Sequence, residues 1–250
     1  MRPRVRVVRH ESPPIRFELA FGRPADALKG VVNEYFAWID QSSVQNRLRE
    51  LPSGNIPLII NAGSRVREYD RHDNKIWTER GAFISGLQDS PVLVEGTGPG
   101  SGIQVNFTAL GARLFFDRPL KEFTNHTVSL DDVCQFANRL EAQLFDARDW
   151  ESKFALLDRE ILQRLDRAHH PVPAVSWAWQ RLSSTAGRAK IRDLVQKIGW
   201  SERYFSRQFE EQIGLTPKVL GRILRFHRAV RKLSGLGEVK LVELALDCGY

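Results

Sequence analysis

The sequence predicts an α+β protein in which a β-rich N-terminal domain precedes a helical C-terminal domain. Two observations predict this class. Up to about residue 128, short apolar runs such as Ile56–Ile60 and Ile103–Phe107 lie between clusters of glycine, proline and asparagine, which is typical of strands and turns. From Ser129 onward, apolar residues recur every three or four positions, as they do on one face of a helix.

Length and composition exclude two broad classes of protein. A chain of 250 residues with 42% hydrophobic and 27% charged residues is neither disordered nor embedded in a membrane. No apolar run approaches the roughly 18 residues that span a bilayer, and the arginine-rich segment Met1–His10 lacks the apolar core of a secretory signal. We therefore expect a cytoplasmic protein with no membrane partner. The cysteines Cys134 and Cys248 do not have metal-ligand spacing.

The positive charge of the chain is concentrated at one end. The net charge is +7, and residues 176–250 hold 14 lysines and arginines against 7 acidic residues, so the preceding part is neutral. A basic module beside a neutral one favours nucleic acid as the partner of the basic module, although a solvated basic surface is the alternative.

Several local patterns in the β-rich part lead to specific expectations. Pro24 to Ala37 is predicted to form an early helix, because Leu28, Val31, Val32, Tyr35 and Phe36 recur at helical spacing. Asp73-Asn74 is predicted to form a hairpin turn. The glycine-rich segment Gly96 to Gly102 lacks the helix and lysine of a phosphate cradle, and we interpret it as a mobile loop at the mouth of a pocket.

Aromatic residues and arginines of the N-terminal part each allow two interpretations. The aromatic residues either line a small-molecule pocket or fill the core: Trp38, Trp77, Phe83, Phe107, Phe115 and Phe116. The N-terminal arginines either touch DNA or an acidic partner, or belong to a solvated tail or edge strand: Arg2, Arg4, Arg6 and Arg9.

Two amphipathic helices are predicted between the two domains. Ser129 can cap the first, which continues through Phe145, and the second runs from about Trp150 to Leu165. They either form a linker or dimer hairpin or cover one face of the β domain. The run HHPVP, His169 to Pro173, interrupts helical structure and predicts the domain boundary.

The C-terminal region has the spacing of a helix-turn-helix unit. A short helix with Ile191, Leu194, Val195 and Ile198 on its apolar face ends at Gly199. Ser201 can cap a second helix, Glu202 to Ile213, which ends at Gly214. Thr216-Pro217 begins a third helix that reaches about Leu233, and Glu238 to Asp247 begins a fourth.

The exposed faces of these helices carry the candidate DNA contacts. The second helix presents Arg203, Ser206, Arg207 and Glu210, and arginine can bond guanine in the major groove. The alternative for Arg207 is an ion pair with Asp193, Glu210 or Glu211. The basic stripe of the third helix suits phosphate contacts, for which we nominate Arg222, Arg225 and Arg228.

The run IRDLVQKIGWSERYFSRQFEEQIGLTPKVLGRILRFHRAV resembles the first helix-turn-helix and connecting helix of AraC/XylS-type transcription regulators. LVELALDCGY is similar to the opening of their second helix-turn-helix, which implies that this second unit is incomplete and that DNA binding is weakened, with Leu244 and Leu246 poorly covered. The resemblance implies that Arg203, Ser206 and Arg207 face the bases. The run LPSGNIPLIINAG is similar to the small β-rich domain of one branch of this family, a relative of the cupin-like β-sandwich sensors.

These observations divide the chain into four expected parts. A basic arm (1–13) is followed by a β-rich sensor or dimerisation domain (14–128), a helical linker (129–170) and an AraC-type DNA-binding domain (174–250). We expect double-stranded DNA, a small-molecule effector and a second copy of the chain as partners.

An enzyme is the competing class, because β-sandwiches can hold metals. The six histidines include no H-x-H pair and only His126 has a strand-end context, so we expect no catalytic residue, metal or cofactor. A further alternative is a small-molecule-binding or dimerisation protein whose DNA-binding half is not competent alone.

Overall fold

A computed structural model describes residues 4–42, 47–70, 72, 74–134, 136–235 and 240–250 of the chain, with only the backbone at residues 64 and 76–80. The strands are β1 (Val5–Ser12), β2 (Ile15–Gly22), β3 (Val32–Asp40), β4 (Arg47–Glu50), β5 (Asn55–Tyr69), β6 (Lys75–Ser85), β7 (Val92–Gly96), β8 (Gly100–Thr108) and β9 (Thr127–Ser129). The helices are α1 (Ala109–Phe116), α2 (Leu130–Val133), α3 (Ala137–Asp146), α4 (Trp150–Leu165), α5 (Pro173–Ser184), α6 (Ile191–Ile198), α7 (Glu202–Ile213), α8 (Pro217–Leu233) and α9 (Leu241–Cys248). The predicted α+β class, with strands first and helices second, is confirmed.

The strands form one antiparallel sheet that folds over on itself. Its order is β1-β2-β3-β8-β5-β6-β9, and β7 and β4 are added to one end of β5. The first half of β5 pairs with β8 between Asn55 and Ala62, whereas its second half pairs with β7 between Val66 and Tyr69. Since one strand exchanges partners along its length, β4 and β7 are brought over the face formed by β3 and β8. The predicted sandwich is therefore one continuous sheet.

The two faces of this sheet have different roles because side chains alternate along a strand. Tyr35, Ile56, Leu58, Val105 and Phe107 on one face are fully buried against the helices. Their sequence neighbours point to the other face, which lines a cavity.

The predicted early helix at Pro24 to Ala37 is wrong. Asp26–Leu28 forms a single 3₁₀ turn, and β3 begins at Val32. The helix-like spacing has a physical cause: Gly30 adopts a φ of +82°, and a bulge between Val32 and Glu34 shifts the alternation of the strand. Leu28, Val32 and Tyr35 are therefore all buried without forming one face of a helix.

The two interdomain helical segments cover the β domain. The first is interrupted, because α2 ends at Val133 and α3 begins only at Ala137, whereas α4 has the predicted bounds. Phe154 of α4 stacks on Tyr35 with 5.2 Å between ring centroids, and Asp158 accepts a hydrogen bond of 2.8 Å from the Tyr35 hydroxyl. Arg4, at the start of β1, also pairs with Asp158. Thus β1 is an edge strand that is fixed to α4; Arg2 lies outside the described residues.

The helices α6, α7 and α8 begin and end where the sequence predicts, whereas α9 begins only at Leu241. The bounds of α6, α7 and α8 agree with the predicted caps, and α9 ends close to the predicted position; Glu238 lies outside the described residues. Sequence reasoning missed α5, which begins with Pro173 at its first turn and contributes Val175, Ala178 and Leu182 to the core. No helix within the described residues is long and apolar enough to cross a membrane.

Candidate nucleic-acid interface and ligand cavity

The turn between α6 and α7 is built by local capping. Gly199 ends α6 with a φ of +77°, a left-handed conformation that glycine adopts without steric cost. The Ser201 hydroxyl accepts a hydrogen bond of 3.3 Å from the Tyr204 amide and caps α7. Phe205, Phe209 and Ile213 are fully buried, so the opposite face of α7 is fixed toward solvent.

The residues predicted to contact bases lie on that solvent face. Arg203 and Arg207 are exposed, and Ser206 is half-buried. The Arg207 guanidinium lies over the Tyr204 ring, 5.5 Å from its centroid. Within the described part of the chain, neither arginine forms an ion pair, and Glu210 instead approaches Lys121 at 3.8 Å. Both guanidinium groups can therefore be directed at an external acceptor.

The three arginines nominated for phosphate contacts have different environments. Arg222 is exposed on α8. Arg225 donates a hydrogen bond of 2.8 Å to the Gly187 carbonyl and lies over the Tyr250 ring at 5.6 Å. Arg228 donates to both carboxylate oxygens of Asp247, at 3.0 and 3.1 Å. Arg222 is thus the one nominated arginine for which no internal partner occurs among the described residues.

A salt-bridge cluster holds α9 against α8. Asp247 accepts hydrogen bonds from Lys232 and Arg228, and these two donors lower the pKa of its carboxyl below the ordinary value. Leu244 and Cys248 are buried at this contact, whereas Leu246 is 70% exposed. The expectation of poor cover is therefore correct for Leu246 and wrong for Leu244.

The C-terminal end of α7 is attached to the N-terminal domain. A 3₁₀ helix, Leu120–Phe123, packs against α7. Directly after it, Thr124 donates a hydrogen bond of 2.6 Å to the Gly214 carbonyl. The first half of α7 is thus exposed to solvent while its last turn contacts the β domain.

The second site is a cavity of about 500 Å³ inside the folded sheet. That volume is in the range of about 300–1,000 Å³ that is usual for small-molecule pockets. Its apolar lining includes the rings of Phe17, Phe36, Trp38 and Phe83. Phe36 and Trp38 stack with 5.8 Å between centroids. The indole of Trp38 has room because its cross-strand partner is Gly102, where an added Cβ would lie 2.3 Å from the ring.

The charged lining of the cavity is acidic. Asp40, Glu50 and Glu68 are the charged side chains among its described lining residues, and no lysine, arginine or histidine is among them. Strand alternation separates the charges. In β4, Glu50 lines the cavity while Arg47 lies over the Tyr69 ring at 4.5 Å; in β5, Glu68 lines it while Arg67 pairs with Glu95.

Glu68 is the buried member of the acidic set, with 5% of its surface exposed. Burial raises the pKa of the Glu68 carboxyl, and the neighbouring Thr127 hydroxyl lowers it in part. Thr127 Oγ1 is buried close enough to the Glu68 carboxyl to lower its pKa, although the two groups do not reach normal hydrogen-bond geometry in the described part of the chain. Farther along the wall, Gln104 donates to Asn106 Oδ1 at 2.8 Å and Asn106 donates to Glu34 at 3.2 Å.

One loop lines the cavity and also contacts α8. Leu51, Pro52, Ser53 and Asn55 line the cavity. Gly54 faces α8, where an added Cβ would lie 2.8 Å from Cδ2 of Leu224. The loop therefore lies between the cavity and α8.

Of the aromatic residues considered for a pocket, Trp38 and Phe83 line the cavity. Phe107, Phe115 and Phe116 instead pack on one another in the core, with Phe107 and Phe115 centroids 4.8 Å apart. The side chain of Trp77 lies outside the described residues, as does Asp73 of the predicted hairpin turn. Gly96, Gly98 and Gly100 of the glycine-rich segment line the cavity. The acidic and amide residues of the cavity lining were not predicted from the sequence, because strand register determines the face of the sheet on which each residue lies.

The described residues contain no group of three or more His, Cys, Asp and Glu side chains placed to hold a metal ion. His126 is exposed, and its Nδ1 lies 2.7 Å from the Thr124 carbonyl. Both cysteines are buried and free, and burial raises the pKa of Cys134 to about 11.

Residues 22–129 match a family model described as a domain of unknown function (DUF6597). No curated protein matches the sequence. Among solved structures, the AraC-like transcriptional activator CuxR is similar with a TM-score of 0.38 and 15% identity, over 92% of this chain and 86% of that chain. ToxT from Vibrio cholerae is similar with a TM-score of 0.42 and 10% identity, over 83% of this chain and 89% of that chain. FeII HppE is similar with a TM-score of 0.32 and 9% identity, over 43% of this chain and 58% of that chain.

Proposed function

We propose that the chain is a cytoplasmic, sequence-specific DNA-binding transcription regulator of AraC type, and that its N-terminal domain senses a small molecule. The observation that carries this proposal is the surface of α7. Arg203 and Arg207 are exposed on α7, and the other face of this helix is buried. A turn with a capping serine connects α6 to α7. This is the arrangement by which a helix-turn-helix unit presents its second helix to the major groove.

In this proposal α7 lies in the major groove. Arg203 and Arg207 bond guanine edges, Ser206 bonds a base at closer range, and the exposed Arg222 of α8 bonds phosphate. The charge of residues 176–250 supports this assignment, since it supplies attraction to DNA that does not depend on sequence.

Two contacts support regulation of DNA binding from the cavity. The loop that carries Ser53 lines the cavity and rests on α8 through Gly54. On another side, Thr127 lines the cavity three residues after Thr124, which bonds the end of α7. A ligand that moves either wall would therefore move a helix of the DNA-binding region. Homodimerisation, which the sequence also predicts, is tested by light scattering of the purified protein.

The test is DNA selection from a random duplex library, followed by affinity measurements over a salt titration. We expect a preferred sequence and a steep loss of affinity with salt. Arg203→Ala should relax base preference at one position, by about 1–3 kcal/mol of lost discrimination, whereas Arg222→Ala should weaken all sequences alike. Arg148→Ala, an exposed arginine between α3 and α4, is the matched control. Enrichment of no sequence, or identical effects of Arg203→Ala and Arg222→Ala, would contradict the proposal.

A further inference from the structure

We propose that the cavity binds an organic amine with an aromatic or aliphatic body, and that Glu68 bonds its ammonium group. This inference rests on the proposed sensing function of the domain and specifies the chemical class of the ligand. It depends on three features of the cavity: the sign of its charges, its aromatic surface and its buried polar groups.

The charges of the lining exclude an anion and favour a cation. Asp40, Glu50 and Glu68 are on the cavity wall, while the arginines of the same strands are on the opposite face of the sheet. A carboxylate or phosphate ligand would enter a site lined by three carboxyl groups and, among the described lining residues, no cationic partner. An ammonium group would find opposite charge at each of them.

The aromatic rings supply the second feature. Phe17, Phe36, Trp38 and Phe83 line the cavity, where their rings can pack on an apolar body and attract a cation. Aromatic faces attract ammonium groups by about 0.5–2 kcal/mol, more strongly where water is excluded. Aromatic rings together with carboxylates are thus a combination that suits a cation better than a neutral or anionic molecule.

Glu68 and Thr127 supply the third feature. Glu68 is 5% exposed and forms no ion pair within the described residues, and the buried Thr127 hydroxyl beside it lowers the pKa of its carboxyl without reaching normal hydrogen-bond geometry there. Buried polar groups are nearly always hydrogen-bonded, and the single Thr127 hydroxyl leaves the other acceptor sites of the Glu68 carboxyl open to a further donor. An ammonium group carries up to three N–H donors and can bond these sites.

The experiment compares three probes that share one apolar body: phenylbutylamine, phenylbutanol and phenylbutyrate. Binding to the full chain is measured by titration calorimetry near neutral pH. We expect the amine to bind at least about 10-fold more tightly than the alcohol, because a desolvated charge pair contributes more than a neutral hydrogen bond, and phenylbutyrate to bind most weakly.

Variants assign the preference to one side chain. Glu68→Gln should reduce the affinity for the amine to that for the alcohol and leave the alcohol unchanged. Glu95→Gln is the control, because Glu95 lies on the outer face of the same sheet and pairs with Arg67 at 3.4 Å. If Glu68→Gln does not fold, the probe ranking on the unmodified chain still decides the ligand class, and Thr127→Val, which alters the group beside Glu68, should change the affinity for the amine if Glu68 binds it.

Three outcomes would overturn the inference: phenylbutyrate binding most tightly, an amine preference that survives Glu68→Gln, or no binding of any probe. DNA affinity of the same preparation without probe separates this test from that of the proposed function. If DNA binding fails while the amine preference holds, the ligand class stands and the regulator proposal falls. The reverse result rejects the ligand class alone.

Discussion

The Thr124 side chain donates a hydrogen bond of 2.6 Å to the Gly214 carbonyl, which joins the β domain to the end of α7 across 90 residues of sequence. Gly214 has a φ of +99°, and a Cβ there would lie 2.8 Å from Thr124 Oγ1 and 3.1 Å from the Leu120 carbonyl oxygen. The close approach of the two segments therefore depends on both residues: a hydroxyl on one side and no side chain on the other.

Replacing Thr124 should weaken this attachment. Thr124→Val keeps the shape of the side chain but removes the donor, and we expect the free energy of unfolding to fall by about 1 kcal/mol, as for a typical hydrogen bond. Urea denaturation measures this change. Thr124→Ser keeps a hydroxyl and is the control; equal stability of the valine and wild-type proteins would show that the hydrogen bond contributes nothing.

Two glycines with left-handed backbones should respond differently to alanine. Gly199→Ala should cost about 1 kcal/mol, because only the positive φ of +77° opposes it and nothing lies within 4 Å of the added Cβ. Gly214→Ala should cost more, because its Cβ also meets the Leu120 carbonyl and Thr124. Thermal unfolding of both variants measures the difference, and a larger loss at Gly199 would contradict the packing argument.

The arginines of α8 should separate into structural and DNA-binding groups. Arg225→Ala removes the hydrogen bond to Gly187 and the contact with Tyr250, so we expect a loss of about 1–2 kcal/mol in stability. Arg222→Ala should leave stability unchanged and reduce the salt slope of DNA binding by about 1. Denaturation and salt titration of both variants distinguish the two roles. If Arg225→Ala leaves stability unchanged, Arg225 remains a candidate for phosphate contact.

The docking of α9 should depend on pH. Lys232 and Arg228 lower the pKa of Asp247 in the folded protein. A lowered pKa stabilises the fold above the unfolded value, and the contribution is lost as pH falls through the folded value. We therefore expect the protection of α9 amides against hydrogen exchange, measured relative to their intrinsic exchange rates at each pH, to fall below about pH 4.

The control for this pH dependence is Asp247→Asn, which has no carboxyl to titrate at this contact. Its α9 amides should exchange faster than those of the wild type above that pH and should show a smaller acid response. An identical pH profile in the two proteins would assign the response to other carboxyl groups.

The C-terminal helices could be predicted from sequence because their signals are local. Gly199, Ser201, Gly214 and Thr216 act within a few residues of themselves, and the structure shows the left-handed glycines and both caps. The exposed positions of Arg203 and Arg207 follow from the same periodicity. The interactions of Arg225 and Arg228 could not be predicted, because their partners Gly187 and Asp247 lie elsewhere in the chain.

The β domain was harder to predict because its pattern depends on pairing. One turn and one bulge gave Leu28, Val32 and Tyr35 the spacing of a helix although they belong to a 3₁₀ turn and a strand. Likewise, Phe83 and Phe107 look equivalent in sequence, yet one lines the cavity and the other is in the core. The side of the sheet on which each residue lies is determined by strand register.

Because Trp38 pairs with Gly102, a substitution at position 102 would alter the cavity without replacing any of its lining residues. An alanine at position 102 would collide with the indole and displace it, so the space left for a ligand would change. The residue at this strand position, which is not part of the cavity lining, therefore affects the size of the ligand that fits. Related chains that differ at this one position should discriminate between small molecules with the same head group and bodies of different bulk.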